Sequence, residues 1–339
     1  MVNKKLWLSI ALVAGTILFI YFLINFGITS LDLIKNNFNF YYLGLYIFFT
    51  LFAFVPITWR LQAILKGYGK KPRFLILLKQ TIAAYSLSYI TPAVRLGGEP
   101  LRAYMLKKEC DIDLKTGSSA IILDKFVEFF GSAMLGIVGL VTIIMIPGFT
   151  LELKILFSSI LLAAILLVLI FYIRTINSKG SFSTLLNLAR LSKIKKWKNF
   201  NKAVIDVENL MKDFFSNHKK ELFSAGFFYL INGIVFFLEI KYLLLSIGIE
   251  TSMIDLILII NIWGLVNFIP VPGAIGFLEA GQTTLFQVLQ GDGTIGFAMA
   301  LIIRARSLFV IMLGFFLITQ FSGSQIIKEF KEKTKKQDV

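Results

Sequence analysis

The sequence is poor in the residues from which most catalytic centres are built. It holds one cysteine and one histidine in 339 residues. A lone Cys110 excludes a disulfide within the chain and a thiolate metal cluster. His218 stands beside Lys219 and Lys220, which marks an interfacial, solvated side chain rather than a ligand or a base. No histidine remains for a Ser–His pair, and neither a Walker-type phosphate loop nor a Gly-x-Ser-x-Gly elbow occurs. No dense aspartate motif for phosphoryl chemistry is present. The sequence therefore calls for no cofactor and no resident metal. Acids are scarce too, 20 against 35 Lys and Arg, and long stretches carry no charge of either sign.

What is abundant is apolar: 57% of the residues are hydrophobic and 34 are Phe. The uncharged runs are of membrane length, so the chain reads as an all-α polytopic membrane protein. Leu6–Phe26 is too long, and too poor in small residues at its end, for a cleaved signal peptide, and reads as a retained span. The net charge of +15 would suit nucleic acid, but the basic residues fall between apolar runs, as in cytoplasmic loops of membrane proteins. No nucleic-acid partner is expected.

The order of segments is informative. After Leu6–Phe26 comes Asn36–Trp59, with a kink expected near Pro56. The segment from Arg60 to Arg73 carries five basic residues and no acid, and is assigned to the cytoplasm with the N-terminus. Phe74–Val94 is cut by Lys79 and Gln80. Its uncharged part, about 14 residues, would reach about 21 Å against a bilayer core of about 30 Å. Phe129–Leu151 and Ile155–Ile173 form the next two spans. Residues 174–221 hold eleven Lys and Arg against four acids and are cytoplasmic. Within them Phe200, Val204, Val207, Leu210, Met211, Phe214 and Phe215 fall at helical spacing, predicting an amphipathic helix on the membrane surface or against the bundle. Leu222–Gly248, Leu256–Leu278 and Thr294–Ser324 follow, and a basic cytoplasmic tail, 325–339, closes the chain.

Two stretches break this pattern. Thr91–Arg102 sets Pro92, Gly97, Gly98 and Pro100 among the charges of Arg95, Glu99 and Arg102. Asn267–Glu279 contains Pro270, Pro272, Gly273, Gly276 and Glu279. Proline does not sit within a continuous helix, and irregular backbone survives in lipid only inside protein or beside a wet cavity. With both basic loops inside, parity makes 74–106 re-entrant from the cytoplasmic face and 256–290 re-entrant from the opposite face. The expectation is six spanning helices plus two oppositely oriented re-entrant hairpins in an inverted repeat, about 6–151 and 155–324, an arrangement typical of transporters.

Charges also lie at membrane depth: Asp124, Lys125 and Glu128 in one segment, Glu239 and Lys241 in another, Arg304 and Arg306 in the last. Such charges are costly and point to function. Arg95, Arg102 and Lys125 can hold a phosphate, with helix N-termini adding N–H donors. Glu99, Asp124 and Glu128 would neutralise the empty site, or take a cationic headgroup or a proton.

The runs Thr91–Pro92, Arg95–Tyr104, Asp124-Lys125-Phe126-Val127-Glu128 and Ile269–Glu279 resemble the lysylphosphatidylglycerol synthase transmembrane-region family. Related proteins include the flippase half of the multiple peptide resistance factor and the membrane part of an archaeal dolichol-phosphate glucosyltransferase. The resemblance implies a lipid-handling membrane domain of a prokaryotic plasma membrane. On matching positions it implies roles for Arg95, Gly97, Gly98, Glu99, Pro100, Arg102, Asp124, Glu128, Pro272, Gly273, Gly276 and Glu279. Adding the intramembrane Lys125, Arg304 and Arg306 completes the expected headgroup site. The lysyl-transferring relatives carry a soluble catalytic domain after the membrane part, whereas this sequence stops at Val339, so aminoacylation is not expected. The leading expectation is a flippase for an anionic phospholipid or polyprenyl-phosphate. Rival readings are a lipid-phosphate transferase or phosphatase with a metal on Asp124 and Glu128, and a non-catalytic subunit presenting lipid to a separate enzyme.

Overall fold

A computed structural model describes residues 4–92, 96–145, 150–176 and 198–337. Among these residues every regular element is helical. Helix α1 (Lys4–Asn37) is followed by α2 (Phe40–Phe52) and α3 (Phe54–Gly67), which meet at Ala53. The break falls three residues before Pro56, where the proline ring removes an N–H and crowds the carbonyl of Phe52. Next come α4 (Phe74–Ile90), α5 (Glu99–Cys110), α6 (Leu114–Met145), α7 (Leu151–Ile176), α8 (Lys198–Asn217), α9 (Lys219–Leu245), α10 (Met253–Val266), a 3₁₀ turn (Pro272–Ala274), α11 (Phe277–Gln290) and α12 (Thr294–Gln337).

Five stretches are long and apolar enough to cross a membrane: Ser9–Asn37, Phe40–Gly67 across α2 and α3, Leu114–Met145, Lys219–Leu245 and Thr294–Ser322. Only 11 to 28% of each is buried inside the protein, as expected where lipid solvates the remaining faces. The expected span Ile155–Ile173 falls in α7, which is not one of the five. One expectation is corrected: Arg60 is not loop but lies within α3, 1% exposed. The last helix, α12, runs on through the basic tail to Gln337.

At both expected breaks the chain turns back on itself. In the first, Gln80 of α4 donates to Glu109 near the end of α5, and Lys70, just before α4, interacts with Asp113, just after α5. In the second, Gln282 of α11 donates to the Ile259 carbonyl of α10. There the flanking turns both lie against α1: Gly248 beside Asn37, and Thr294 accepting from Ser30. Among the described residues two large apolar cores result, beside a small third of Ala83, Met105 and Phe321. One gathers α10, α11, the end of α9 and the start of α12. The other gathers α3, α5, the start of α6 and the Met211, Phe214 and Phe215 face of α8. The amphipathic helix thus packs on the bundle. Asp113 caps α6: burial would push its carboxyl up, but the Thr116 hydroxyl and the N–H groups of Thr116 and Lys115 hold it below its usual value.

Glycine is required where the breaks approach other backbone. A Cβ on Gly98 would stand 1.9 Å from the Ala84 carbonyl oxygen, and one on Gly276, at φ +80°, 1.8 Å from that of Gly15. Gly98→Ala and Gly276→Ala are each expected to cost about 1–3 kcal/mol through overpacking. Gly44→Ala, where a Cβ meets nothing within 4 Å, should be neutral or stabilising. Thermal unfolding in detergent distinguishes the two classes, and equal effects at all three sites would remove the close-approach argument.

Candidate functional site

The site is organised by one face of α4. Thr81, Tyr85 and Tyr89 recur every fourth residue, so their hydroxyls form a stripe about 12 Å long. Each accepts a hydrogen bond from a different arginine: Arg102 Nη2 to Thr81 at 2.9 Å, Arg306 Nη1 to Tyr85 at 2.9 Å and Arg304 Nη1 to Tyr89 at 2.7 Å. Each arginine also holds a carboxylate that is fully buried: Asp124, Glu239 and Glu279 respectively. The repeating unit is therefore hydroxyl, guanidinium, carboxylate.

At the Thr81 end the unit is enlarged. Arg60 donates through Nε to Asp124 Oδ1 at 2.6 Å and through Nη2 to Glu128 at 3.0 Å, while Arg102 reaches Asp124 Oδ2 at 3.2 Å. Lys125 bridges Glu99 at 3.0 Å and Glu128 at 3.1 Å. Three cations face three carboxylates, so the cluster is neutral, as burial demands. Gly98 adds a backbone N–H bonded to Ser88 Oγ at 2.8 Å, which seats the start of α5 against α4.

At the Tyr89 end Arg304 uses all five of its N–H groups. Nε and Nη2 form a bidentate pair with Glu279 at 2.7 and 2.9 Å, Nη1 donates to Tyr89 and to the Gly273 carbonyl, and Nη2 also donates to Ala274. Glu279 in turn accepts from the Gly276 N–H at 2.9 Å. One arginine thereby holds the Pro272–Ala274 turn closed and ties it to α4. Beside it, Ser88 and Tyr89 of α4 and Thr91 of the first break face Asn267, Ile269, Val271, Gly273 and Ala274 of the second across a narrow crevice. Its volume, about 20 Å³, holds roughly one water molecule.

In the middle unit the carboxylate is held through one oxygen only. Arg306 Nη2 lies 2.9 Å from Glu239 Oε1, which also accepts from Thr50 at 2.8 Å, and the guanidinium sits over the Tyr85 ring. Glu239 Oε2 and Arg306 Nε are buried without a hydrogen-bond partner.

The expected site residues therefore divide. Glu99, Arg102, Asp124, Lys125 and Glu128 form one cluster, with Gly97 and Gly98 at its edge, and Pro272, Gly273, Gly276, Glu279 and Arg304 form another. Arg306 belongs to a third, and Arg95 lies outside the described residues. Arg102 and Lys125 are already neutralised by carboxylates. Asp124 and Glu128, which the transferase reading assigns to a metal, are engaged by Arg60, and no group of three metal-ligating side chains occurs among the described residues. Sequence reasoning missed Arg60, Thr81, Tyr85 and Tyr89. The signal available was three hydroxyls at i, i+4 and i+8 in an apolar run. Removing one partner of a buried pair is costly, so Arg60→Met should lower stability by about 3–5 kcal/mol. A melting temperature unchanged in detergent would show that Arg102 alone suffices for Asp124.

Comparison with known proteins places this geometry. A family described as the lysylphosphatidylglycerol synthase TM region matches residues 6–314. The chain is 26% identical over 305 residues to a UPF0104 membrane protein of Methanothermobacter thermautotrophicus, covering 84% of each. It is 22% identical over 289 residues to a UPF0104 membrane protein of Pyrococcus horikoshii, covering 80% of this chain and 82% of that one. No solved structure matches significantly. With a family match over nearly its whole length, a helical fold and five membrane-length apolar stretches, the chain is a multi-pass membrane protein belonging to the lysylphosphatidylglycerol synthase TM region family.

Proposed function

We propose that the protein is a lipid transporter that moves an anionic headgroup, of a phospholipid or a polyprenyl-phosphate, between leaflets of a prokaryotic plasma membrane. The observation that carries this reading is the row of three arginines along the α4 stripe, none more than 16% exposed, ending at the crevice between the two helix breaks. A phosphate can replace a carboxylate on an arginine with the same bidentate geometry. Each arginine is then a stopping point for the headgroup, while the acyl chains stay in the bilayer. The crevice is too narrow for a headgroup as it stands, so passage requires α4 and the Pro272–Ala274 turn to separate.

Two further observations support an inverted repeat, with 74–106 and 256–290 as re-entrant hairpins. Adding 180 to the residue number takes Pro92 to Pro272, Glu99 to Glu279, Asp124 to Arg304 and the first residue of α6 to that of α12, and adding 179 takes Arg60 to Glu239. The packing pairs match as well. As α5 packs on α6, α11 packs on α12; as α4 packs on α12, α10 packs on α6; as α3 packs on α4 and α6, α9 packs on α10 and α12. The charges are exchanged between halves: Arg60 with Asp124 in one, Glu239 with Arg306 of α12 in the other. Equivalent halves that differ in detail give two alternative closures around one central site, the basis of alternating access. The basic loops put both termini in the cytoplasm.

Two experiments test this. In vesicles containing fluorescent phosphatidylglycerol, the purified protein should raise the dithionite-accessible label from the outer half to nearly all. Ile269→Trp, which fills the crevice, should slow exchange by about tenfold or more with an unchanged melting temperature. No exchange by the wild type overturns the reading. For topology, Lys71→Cys and Asp111→Cys, each made with Cys110→Ser, should react with an impermeant thiol reagent from the same side. Labelling from opposite sides would make α4 and α5 a span.

A further inference from the structure

The three arginine units differ in how firmly each carboxylate is held. Asp124 is held by two guanidinium groups, Arg60 and Arg102. Glu279 has a bidentate arginine and a backbone N–H. Glu239 has one arginine nitrogen and the Thr50 hydroxyl, both on Oε1, and its Oε2 has no partner. Among the arginines, Arg304 spends every N–H, whereas Arg306 and Arg102 each leave Nε buried and unpartnered. An unpaired buried acceptor is unfavourable, and of the three carboxylates held by the stripe arginines only Glu239 keeps one, which marks it as a place where partners change. The middle unit also adjoins the crevice. The rings of Tyr85 and Tyr89 lie 6.3 Å apart, so the Arg306 and Arg304 units are neighbours along α4.

Resting on the transport reading, we propose that Glu239 is a proton-binding site, and that Arg306 exchanges Glu239 for the headgroup phosphate when Glu239 is protonated. The charge balance carries the argument. A buried guanidinium requires one anion. With Glu239 ionised, that anion is the carboxylate. A phosphate can take its place only if the carboxylate loses its charge, and the proton on Oε2 meets an atom that has no hydrogen-bond partner. One proton from solvent is bound as one phosphate monoanion is bound, and both leave together, so the loaded and empty sites carry the same net charge. The groups recorded around Glu239 are consistent with this exchange. They are Tyr46 and Thr50 on α2, Tyr85 on α4 and Arg306 on α12, with Arg306 the one cation among them. The coupling is proton–lipid symport, electroneutral for a monoanionic headgroup.

The test uses the full-length protein in phosphatidylcholine vesicles carrying fluorescent phosphatidylglycerol, with pH 7 on one side and pH 8 on the other. One proton per lipid should concentrate the label about tenfold in the leaflet facing the alkaline side. An imposed membrane potential should leave that ratio unchanged. In Glu239→Gln, which keeps a hydrogen-bond acceptor for Thr50 but cannot exchange a proton, the gradient-driven accumulation should be lost. Wild-type exchange to an even distribution despite the gradient overturns the coupling and leaves the transport reading standing. Accumulation that persists in Glu239→Gln overturns the role of that residue. Absence of any exchange by the wild type overturns both readings.

Discussion

A charge inside a membrane must find its counter-charge inside the protein, because lipid offers none. Nearly all the positioning in this bundle follows from that constraint. Arg60 joins α3 to α6, Arg102 joins α5 to α6, Arg304 joins α12 to α11, and Arg306 joins α12 to α9. Three of these arginines then turn a remaining donor to α4, so the helix that carries no charge on its hydroxyl stripe is the one that all three share. Between two lipid-exposed apolar helices burial provides little specificity, since acyl chains are as apolar as leucine. The ion pairs and the small-residue contacts set which helix faces which.

The helix breaks obey the same rule in backbone form. Interrupting a helix frees N–H and carbonyl groups that cannot be left bare at membrane depth. In the second break the Gly273 and Ala274 carbonyls go to Arg304 and the Gly276 N–H to Glu279. In the first, the Gly98 N–H goes to Ser88. The same side chains that neutralise each other thus satisfy the irregular backbone, and a ligand that takes Arg304 from its carbonyls would release the turn.

Much of this was readable in advance. Both breaks were visible from Pro92, Gly97, Gly98, Pro270, Pro272 and Gly273, because proline and glycine act on the backbone locally whatever surrounds them. The amphipathic helix was visible from its spacing, and Met211, Phe214 and Phe215 are the residues it buries. Arg60 was not, because a basic residue followed by Lys66, Lys70 and Lys71 looks like part of a cytoplasmic loop. Only the packing of α3 against α6 brings it to Asp124. That Glu99, Asp124 and Glu128 would neutralise Arg102 and Lys125 was expected, but not which acid meets which base: sequence neighbours show which charges are present, not which pairs neutralise each other.

Composition and local pattern by themselves determined that the chain enters a membrane, that it is helical, where its helices break and which segments are basic. These are properties of short stretches, set by transfer of apolar side chains and by backbone geometry. The tertiary structure alone decided the pairing. It chose Glu239 for Arg306 and Glu279 for Arg304, residues far apart in the chain, and it aligned three arginines on Thr81, Tyr85 and Tyr89. Such choices depend on distances of a few ångströms between helices. The energy of a buried charge changes steeply over that range, and no local signal in the chain encodes it.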